Sequence, residues 1–345
     1  MTITLRPHQQ TAVDAMLKHD KGQVIIPTGG GKTICMIEDA KKQFDQIGST
    51  TIVVVAPRIL LAKQLCSEFL EVIDNAAVYH VHSGETEHFS STKPALIHNW
   101  HRQAYRNQMI FTTYHSLEKI VQSGISIDTI YFDEAHNSVQ RNFFVPTEFY
   151  SRHAGRCYFF TATPKHSVTP KKPGMNDSRV YGQVICNVPA PKLVEEGYIL
   201  PPVVRLTQLP QGDFKQSDSQ NLLDTIDDND AEKILIAARS TKQIVRLVSQ
   251  SDFTFQLERR GYNWMYITSK TGAIINGQKV TREQFFNTLN AWGRDDKKFV
   301  IMHHSILSEG INVKGLDAVM FMRNMDYIGI SQSIGRVIRL GGAQK

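Results

Sequence analysis

Short apolar runs rich in β-branched residues alternate along this chain with segments of helical period, and that alternation narrows the possible folds more than any other feature. Val24-Ile25-Ile26 precedes a helical pattern over 34–45, Ile52-Val53-Val54-Val55 precedes 59–71, and Met109-Ile110-Phe111 precedes 114–122. Thr129-Ile130-Tyr131-Phe132 and Tyr158-Phe159-Phe160 continue the series. Strands that are apolar at every position and separated by helices belong to a parallel sheet covered on both faces. Residues 1–165 therefore read as one α/β domain. A second α/β series falls within 231–345: Trp264-Met265-Tyr266-Ile267, a helix over 281–291, Phe299-Val300-Ile301-Met302 and Ala318-Val319-Met320-Phe321. The stretch 166–230 is broken by prolines from Pro170 to Pro210 and reads as a connecting segment. Its acidic end, 224–230, reads as a solvated capping turn before a helical pattern over 231–250.

A length of 345 residues suits about two domains, and 41% hydrophobic with 21% charged residues excludes a disordered or fibrous chain. Cys35, Cys66, Cys157 and Cys186 are far apart with no C-x-x-C pair, which predicts reduced core thiols in a cytosolic protein. The opening residues lack a signal pattern, and no apolar run reaches the roughly 18 residues that span a bilayer, so no membrane contact is expected. The formal net charge of +6 favours a polyanionic partner without demanding one. Thirteen histidines are present, but His80-Val81-His82 and His303-His304 have no cysteine or further histidine at a ligand spacing beside them. No zinc site is expected from them.

After the first strand comes Pro27-Thr28-Gly29-Gly30-Gly31-Lys32-Thr33, followed by an amphipathic helix. Three glycines let backbone N–H groups converge on a phosphate, and the helix N-terminus adds positive potential. Lys32 can then reach the β- and γ-phosphate oxygens of ATP, and the Thr33 hydroxyl can bind Mg²⁺. Ile26 stands where the first glycine of the usual G-x-x-x-x-G-K-T pattern would be. The strand 129–132 delivers Asp133-Glu134-Ala135-His136 at its carboxyl end, where ligands of open parallel sheets collect. There Asp133 would hold Mg²⁺ through water while Glu134 orients and deprotonates the attacking water. Thr161 and Thr163, closing the next strand, could relay the nucleotide state through hydrogen bonds.

With these motifs together, the chain resembles superfamily 2 helicases of D-E-A-H type, whose two RecA-like domains each consist of a parallel sheet with helices on both faces and bind ATP in the cleft between them. Leu5-Arg6-Pro7-His8-Gln9 resembles the adenine-recognition segment, which implies that Gln9 reads the base and Arg6 stacks on it. The segments 56–64 and 112–117 are similar to motifs Ia and Ib, 267–271 to motif IV, 308–317 to motif V and 332–339 to motif VI. The resemblance implies that Arg336 and Arg339 are arginine fingers and that Gln332 senses the γ-phosphate. It also assigns His136, Gly310 and Asn312 to the nucleotide. Arg58, Lys63, Thr113, Tyr114, Ser269, Lys270 and Ser305 become candidate contacts to a nucleic-acid backbone. Asn312 replaces a usual Asp and Ser333 a frequent Arg, and the chain ends six residues after Arg339, before the last strand that relatives add.

Around 181–202 the likeness is to phage UvsW-type branch-migration helicases and to the motor halves of restriction and repair enzymes. The expectation is thus an ATP- and Mg²⁺-dependent DNA helicase or translocase, a monomer in the cytoplasm of a bacterial or phage-infected cell. Its substrate choice would come from the connecting segment or a protein partner. RNA unwinding, a motor subunit of a restriction or repair nuclease, and an ATP-gated clamp that does not unwind are the alternatives.

Overall fold

The computed structural model describes residues 4–46, 48–104, 106–169, 171–199, 217–229, 231–304 and 315–322. It divides into two units, 1–195 and 196–345, each with its own sheet and core. Both are RecA-like α/β domains.

In the first unit, α1 (Pro7–Lys18), β1 (Lys21–Ile25), α2 (Lys32–Gln46), β2 (Thr51–Ala56) and α3 (Ile59–Leu70) follow one another. Next come β3 (Ala76–Val81), α4 (Pro94–Gln103), β4 (Asn107–Thr113), α5 (Leu117–Ser123), β5 (Thr129–Phe132) and a 3₁₀ turn, Ala135–Asn137. The unit closes with α6 (Arg141–His153), β6 (Arg156–Thr161), α7 (Ser178–Tyr181), β7 (Val184–Asn187) and α8 (Ala190–Glu195). The seven strands pair in parallel in the order β3-β4-β2-β5-β6-β1-β7. Every residue of β2, β4 and β5 is buried, which is why these strands read as unbroken apolar runs. On α3, Ala62, Leu65, Cys66 and Phe69 form the buried stripe at helical spacing.

The prolines of 166–195 do not mark a free connection. Val184 to Asn187 add a seventh strand beside β1, and Val180 and Tyr181 enter the core shared with β5 and β6. Half-exposed Val184 and the shortness of this edge strand explain why its alternation is faint in the sequence.

The second unit begins with α9 (Asp218–Asp227), β8 (Lys233–Ala237), α10 (Thr241–Ser249) and α11 (Phe253–Arg259). It continues with β9 (Asn263–Thr268), β10 (Gly272–Ile275), β11 (Gln278–Val280), α12 (Arg282–Arg294), β12 (Phe299–His303) and β13 (Ala318–Phe321). The sheet order is β11-β10-β9-β12-β8-β13. The strands β9, β12, β8 and β13 are parallel, and the β10–β11 hairpin adds two antiparallel strands at one edge. Side chains of α9, α10 and α11 cover one face, and Phe285, Leu289 and Trp292 of α12 cover the other.

The expected helical pattern over 231–250 is corrected here. Ile234, Leu235, Ile236 and Ala237 are buried on both faces of the sheet, so this stretch is the strand β8, and only Thr241–Ser249 is helical. Asp224 and Asp227 lie within the last turn of α9 and not in a turn that caps a following helix. Among the described residues no helix is long and apolar enough to cross a membrane.

Candidate active site

The strand order brings the two phosphate-handling motifs together. β6 lies between β5 and β1, with Phe132 level with Phe159 and Ile25 level with Thr161, so all three strands end at one edge. The Ile26 amide donates to Thr161 O at 3.1 Å, which carries the β1–β6 ladder one residue into the loop.

Within the loop, Gly30 N donates to Pro27 O at 2.9 Å, and Gly29 and Gly31 adopt φ of 85° and 81°. A Cβ on Gly30 would stand 2.5 Å from Ile26 Cγ2 and 2.9 Å from Pro27 O. The residue that replaces the usual first glycine is therefore the wall against which the middle one of the three consecutive glycines packs. The start of α1 braces the loop from outside. His8 Nε2 donates to Gly30 O at 2.7 Å, Gln9 Nε2 donates to Gly31 O at 3.3 Å, and Gln9 Oε1 accepts from the Arg6 amide at 2.8 Å. Arg6 and Gln9 are thus beside the loop, and His8 has a bracing role that spacing alone did not reveal. The turn leads directly into α2, so Lys32 and Thr33 open a helix whose first amides point at an incoming anion.

Opposite, Asp133 N donates to Val55 O at 2.9 Å and Asp133 O accepts from the Tyr114 hydroxyl at 2.8 Å. The chain then turns sharply. Glu134 has φ 48° and ψ 51°, and both the amide and side chain of Asn137 donate to its carbonyl, at 3.0 and 2.9 Å. This aims the Glu134 carboxylate at Lys32 Nζ, 3.9 Å away, with His136 Nδ1 3.6 Å from its other oxygen. The same His136 nitrogen lies 2.9 Å from Thr161 Oγ1, which in turn accepts from the Thr163 amide at 3.1 Å. Buried Lys32, Asp133, His136, Thr161 and Thr163 and half-buried Glu134 thus form one polar cluster.

Burial and the neighbouring Glu134 carboxylate push the Asp133 carboxyl up, while Lys32 pulls it back. Two carboxylates against one ammonium leave the site short of positive charge. A magnesium nucleotide fits that donor set: Asp133 and the Thr33 hydroxyl offer oxygen ligands, and Lys32 with the loop amides offers donors for phosphate.

Of the candidate nucleic-acid contacts, Arg58, which stands just before α3, and Lys63 on that helix are exposed, and Ser269 and Lys270 are exposed in the turn between β9 and β10. The structure puts Thr113 and Tyr114 in the interior instead. Tyr114 packs between Phe132 and Phe143 and donates inward to Asp133 O, because it follows a strand buried throughout. Its place is behind the acidic motif. Ser305, Gly310, Asn312, Gln332, Arg336 and Arg339 lie outside the described residues.

No motif announces the buried ion pair that ties α2 to β6. Arg156 binds Asp39 through two bonds of 2.7 and 2.8 Å, reaches Met16 O at 3.1 Å, and lies 4.9 Å above the Tyr158 ring. The Tyr131 hydroxyl also donates to Asp39.

Residues 2–166 match the family model of the Type III restriction enzyme res subunit, and 217–341 match the helicase conserved C-terminal domain. A comparison with curated proteins gives no match. Among solved structures, the ATP-dependent Type ISP restriction-modification enzyme LlaBIII bound to DNA superposes over 100% of this chain, with a TM-score of 0.73 and 18% identity. A nuclease-deletion mutant of the Type ISP enzyme LlaGI, in complex with a DNA substrate mimic, matches over 57% of this chain and 21% of its own at 24% identity and a TM-score of 0.49. The chain spans about a quarter of LlaBIII, 27% of its length. Taken with the site, the two family matches support a helicase-type motor of superfamily 2 that uses ATP.

Proposed function

We propose that this chain is a DNA-stimulated ATPase that converts ATP hydrolysis into movement along DNA, of the kind that drives restriction enzymes. The observation that carries it is the 3.9 Å approach of Lys32 to Glu134 at the shared edge of β1, β6 and β5, with Asp133 beside them. In this reading Lys32 and the amides of 29–33 hold the phosphates, and Gln9 and Arg6 meet the base. Thr33 and Asp133 would hold Mg²⁺, which would supply neutralisation of phosphate charge. Glu134 orients the attacking water and takes its proton, and Lys32 and His136 fix the direction of that carboxylate. Arg336 and Arg339 bring positive charge to the γ-phosphate, and Gln332 senses that phosphate. Arg58, Lys63, Ser269 and Lys270 grip the DNA backbone, and the path from His136 through Thr161 to Thr163 couples nucleotide state to that grip.

The restriction-motor reading is favoured over branch migration by the res-subunit match of residues 2–166 and by the likeness to a DNA-bound restriction-modification enzyme. Lys32→Ala is expected to abolish nucleotide binding, and Glu134→Gln to keep binding while abolishing DNA-stimulated turnover. Undiminished turnover in both variants would overturn the mechanism. Displacement of a third strand from a triplex without separation of a fork identifies a duplex translocase, whereas fork opening at equal ATP turnover identifies a helicase. Stimulation by RNA above that by DNA would reverse the choice of substrate.

A further inference from the structure

The loop after β3 folds back on its own strand. His80 N donates to Phe89 O at 3.0 Å and Ser91 N donates to His80 O at 3.1 Å, so the segment 82–91 is fastened by main-chain bonds. That fastening lays half-buried His88 parallel to His80, their rings 5.5 Å apart and inclined by 10°. Phe111 stacks on His80 at 5.6 Å, and α3 brings Cys66 to the same place. One ligand atom from each of Cys66, His80 and His88 lies within 4.8 Å of the other two. His80 is 1% exposed, and its Nε2 is buried with no hydrogen-bond partner. Such an orphaned nitrogen is costly unless something binds it.

We propose that Cys66, His80 and His88 form a zinc site that staples α3 to β3 and its returning loop. One thiolate and two imidazoles are the donor set of a borderline-soft cation, and three protein ligands leave a fourth position for water on the half-exposed His88 side. Zinc–sulfur and zinc–nitrogen bonds of about 2.3 and 2.0 Å need donors roughly 3.5 Å apart, so the cluster closes by about an ångström on binding.

Protons move with the metal. Without it, burial pushes the Cys66 thiol up to about 12 and holds His80 down at about 3, so both groups are neutral. Gly84 N donates to His82 Nδ1 at 3.2 Å, and His82 Nε2 lies 2.9 Å from His80 Nδ1. That relay leaves the His80 proton on Nε2. Coordination releases the Cys66 proton to solvent and transfers the His80 proton to Nδ1, where it donates to His82 Nε2. The His82 proton shifts to Nδ1, and Gly84 gives up its contact. His82 is therefore a positioning residue, the outer partner that metal-bound histidines usually have. The charge of Lys63 faces both rings and opposes the cation.

The test is Co²⁺ titration of the metal-stripped full chain. Expected are one Co²⁺ per chain, a thiolate-to-cobalt charge-transfer band with the ligand-field bands of a four-coordinate ion, and displacement by Zn²⁺. Cys66→Ser removes the charge-transfer band, and His88→Ala, at a half-exposed position, weakens binding at least about tenfold. Zn²⁺ should raise the Tm of the wild-type chain more than that of His88→Ala at the same concentration. A folded wild-type chain with no thiolate band would overturn the proposal. So would binding by Cys66→Ser and His88→Ala indistinguishable from wild type.

Discussion

Glu134 occupies the left-handed region, which costs a residue with a side chain roughly 1–2 kcal/mol, and it stands next to a second carboxylate. Both burdens serve the aim of its side chain at Lys32. Glu134→Gly should therefore be inactive in ATP hydrolysis yet about 1 kcal/mol more stable to thermal unfolding than Glu134→Gln, which keeps the backbone cost. Equal Tm values for the two variants would show that the turn is unstrained. Gly31 presents the converse case. Its φ is 81° and a Cβ would fall 2.3 Å from Gln9 Nε2, so Gly31→Ala should lose about 1–2 kcal/mol of stability and bind ATP at least tenfold more weakly. A fluorescent-nucleotide titration alongside calorimetry checks both effects. At this scale the sequence was informative where chemistry is contiguous, as in 27–33 and 133–136. It was mute on Cys66 beside His80, or Asp39 beside Arg156, because those partners meet only through the fold.

Among elements, the Asp39–Arg156 pair holds α2, which begins with Lys32, to β6, which ends at Thr161. Asp39 is fully buried, so Arg156→Met leaves a carboxylate unpaired and should cost about 3–5 kcal/mol. The double variant Asp39→Asn with Arg156→Met keeps a partner for the Tyr131 hydroxyl and should recover most of that loss in urea unfolding. A double variant as unstable as the single one would show that the pair is needed for packing and not for charge balance. In the second unit, Thr281 and Gln284 cap α12 reciprocally, with bonds of 3.1 and 3.0 Å. Thr281→Ala should lower stability by about 1 kcal/mol in the same assay. Central strands were legible because burial on both sides demands unbroken apolar residues. The β10–β11 hairpin is not visible in the apolar periodicity, although Asn276-Gly277, with φ of 46° and 80°, is a strong two-residue turn signal. The misreading of 233–237 as helix came from a short apolar run, for which periodicity cannot separate strand from helix.

For the whole molecule, the roles proposed for Arg336 and Arg339 can be tested apart from nucleotide binding. Arg336→Ala and Arg339→Ala should bind ATP as the wild type does while DNA-stimulated turnover falls about 10³-fold or more. Loss of nucleotide affinity in either variant would mean that these residues act in binding and not in hydrolysis. The fold class was readable from the alternation of strands and helices, and the family matches over 2–166 and 217–341 agree with a helicase-type motor. The division of the chain was harder to read. Proline-rich composition in 166–195 conceals a strand and two short helices that belong to the first unit.

The brace that His8 and Gln9 apply to Gly30 and Gly31 has a kinetic corollary. A cradle kept taut by its own neighbours surrenders little conformational freedom when a guest arrives, so the guest's contacts go into tightness of binding instead of into straightening a slack tether. Capture should then be quick and release the slow, tunable step. Weakening the brace at His8 would shorten the guest's residence far more than it would delay its arrival.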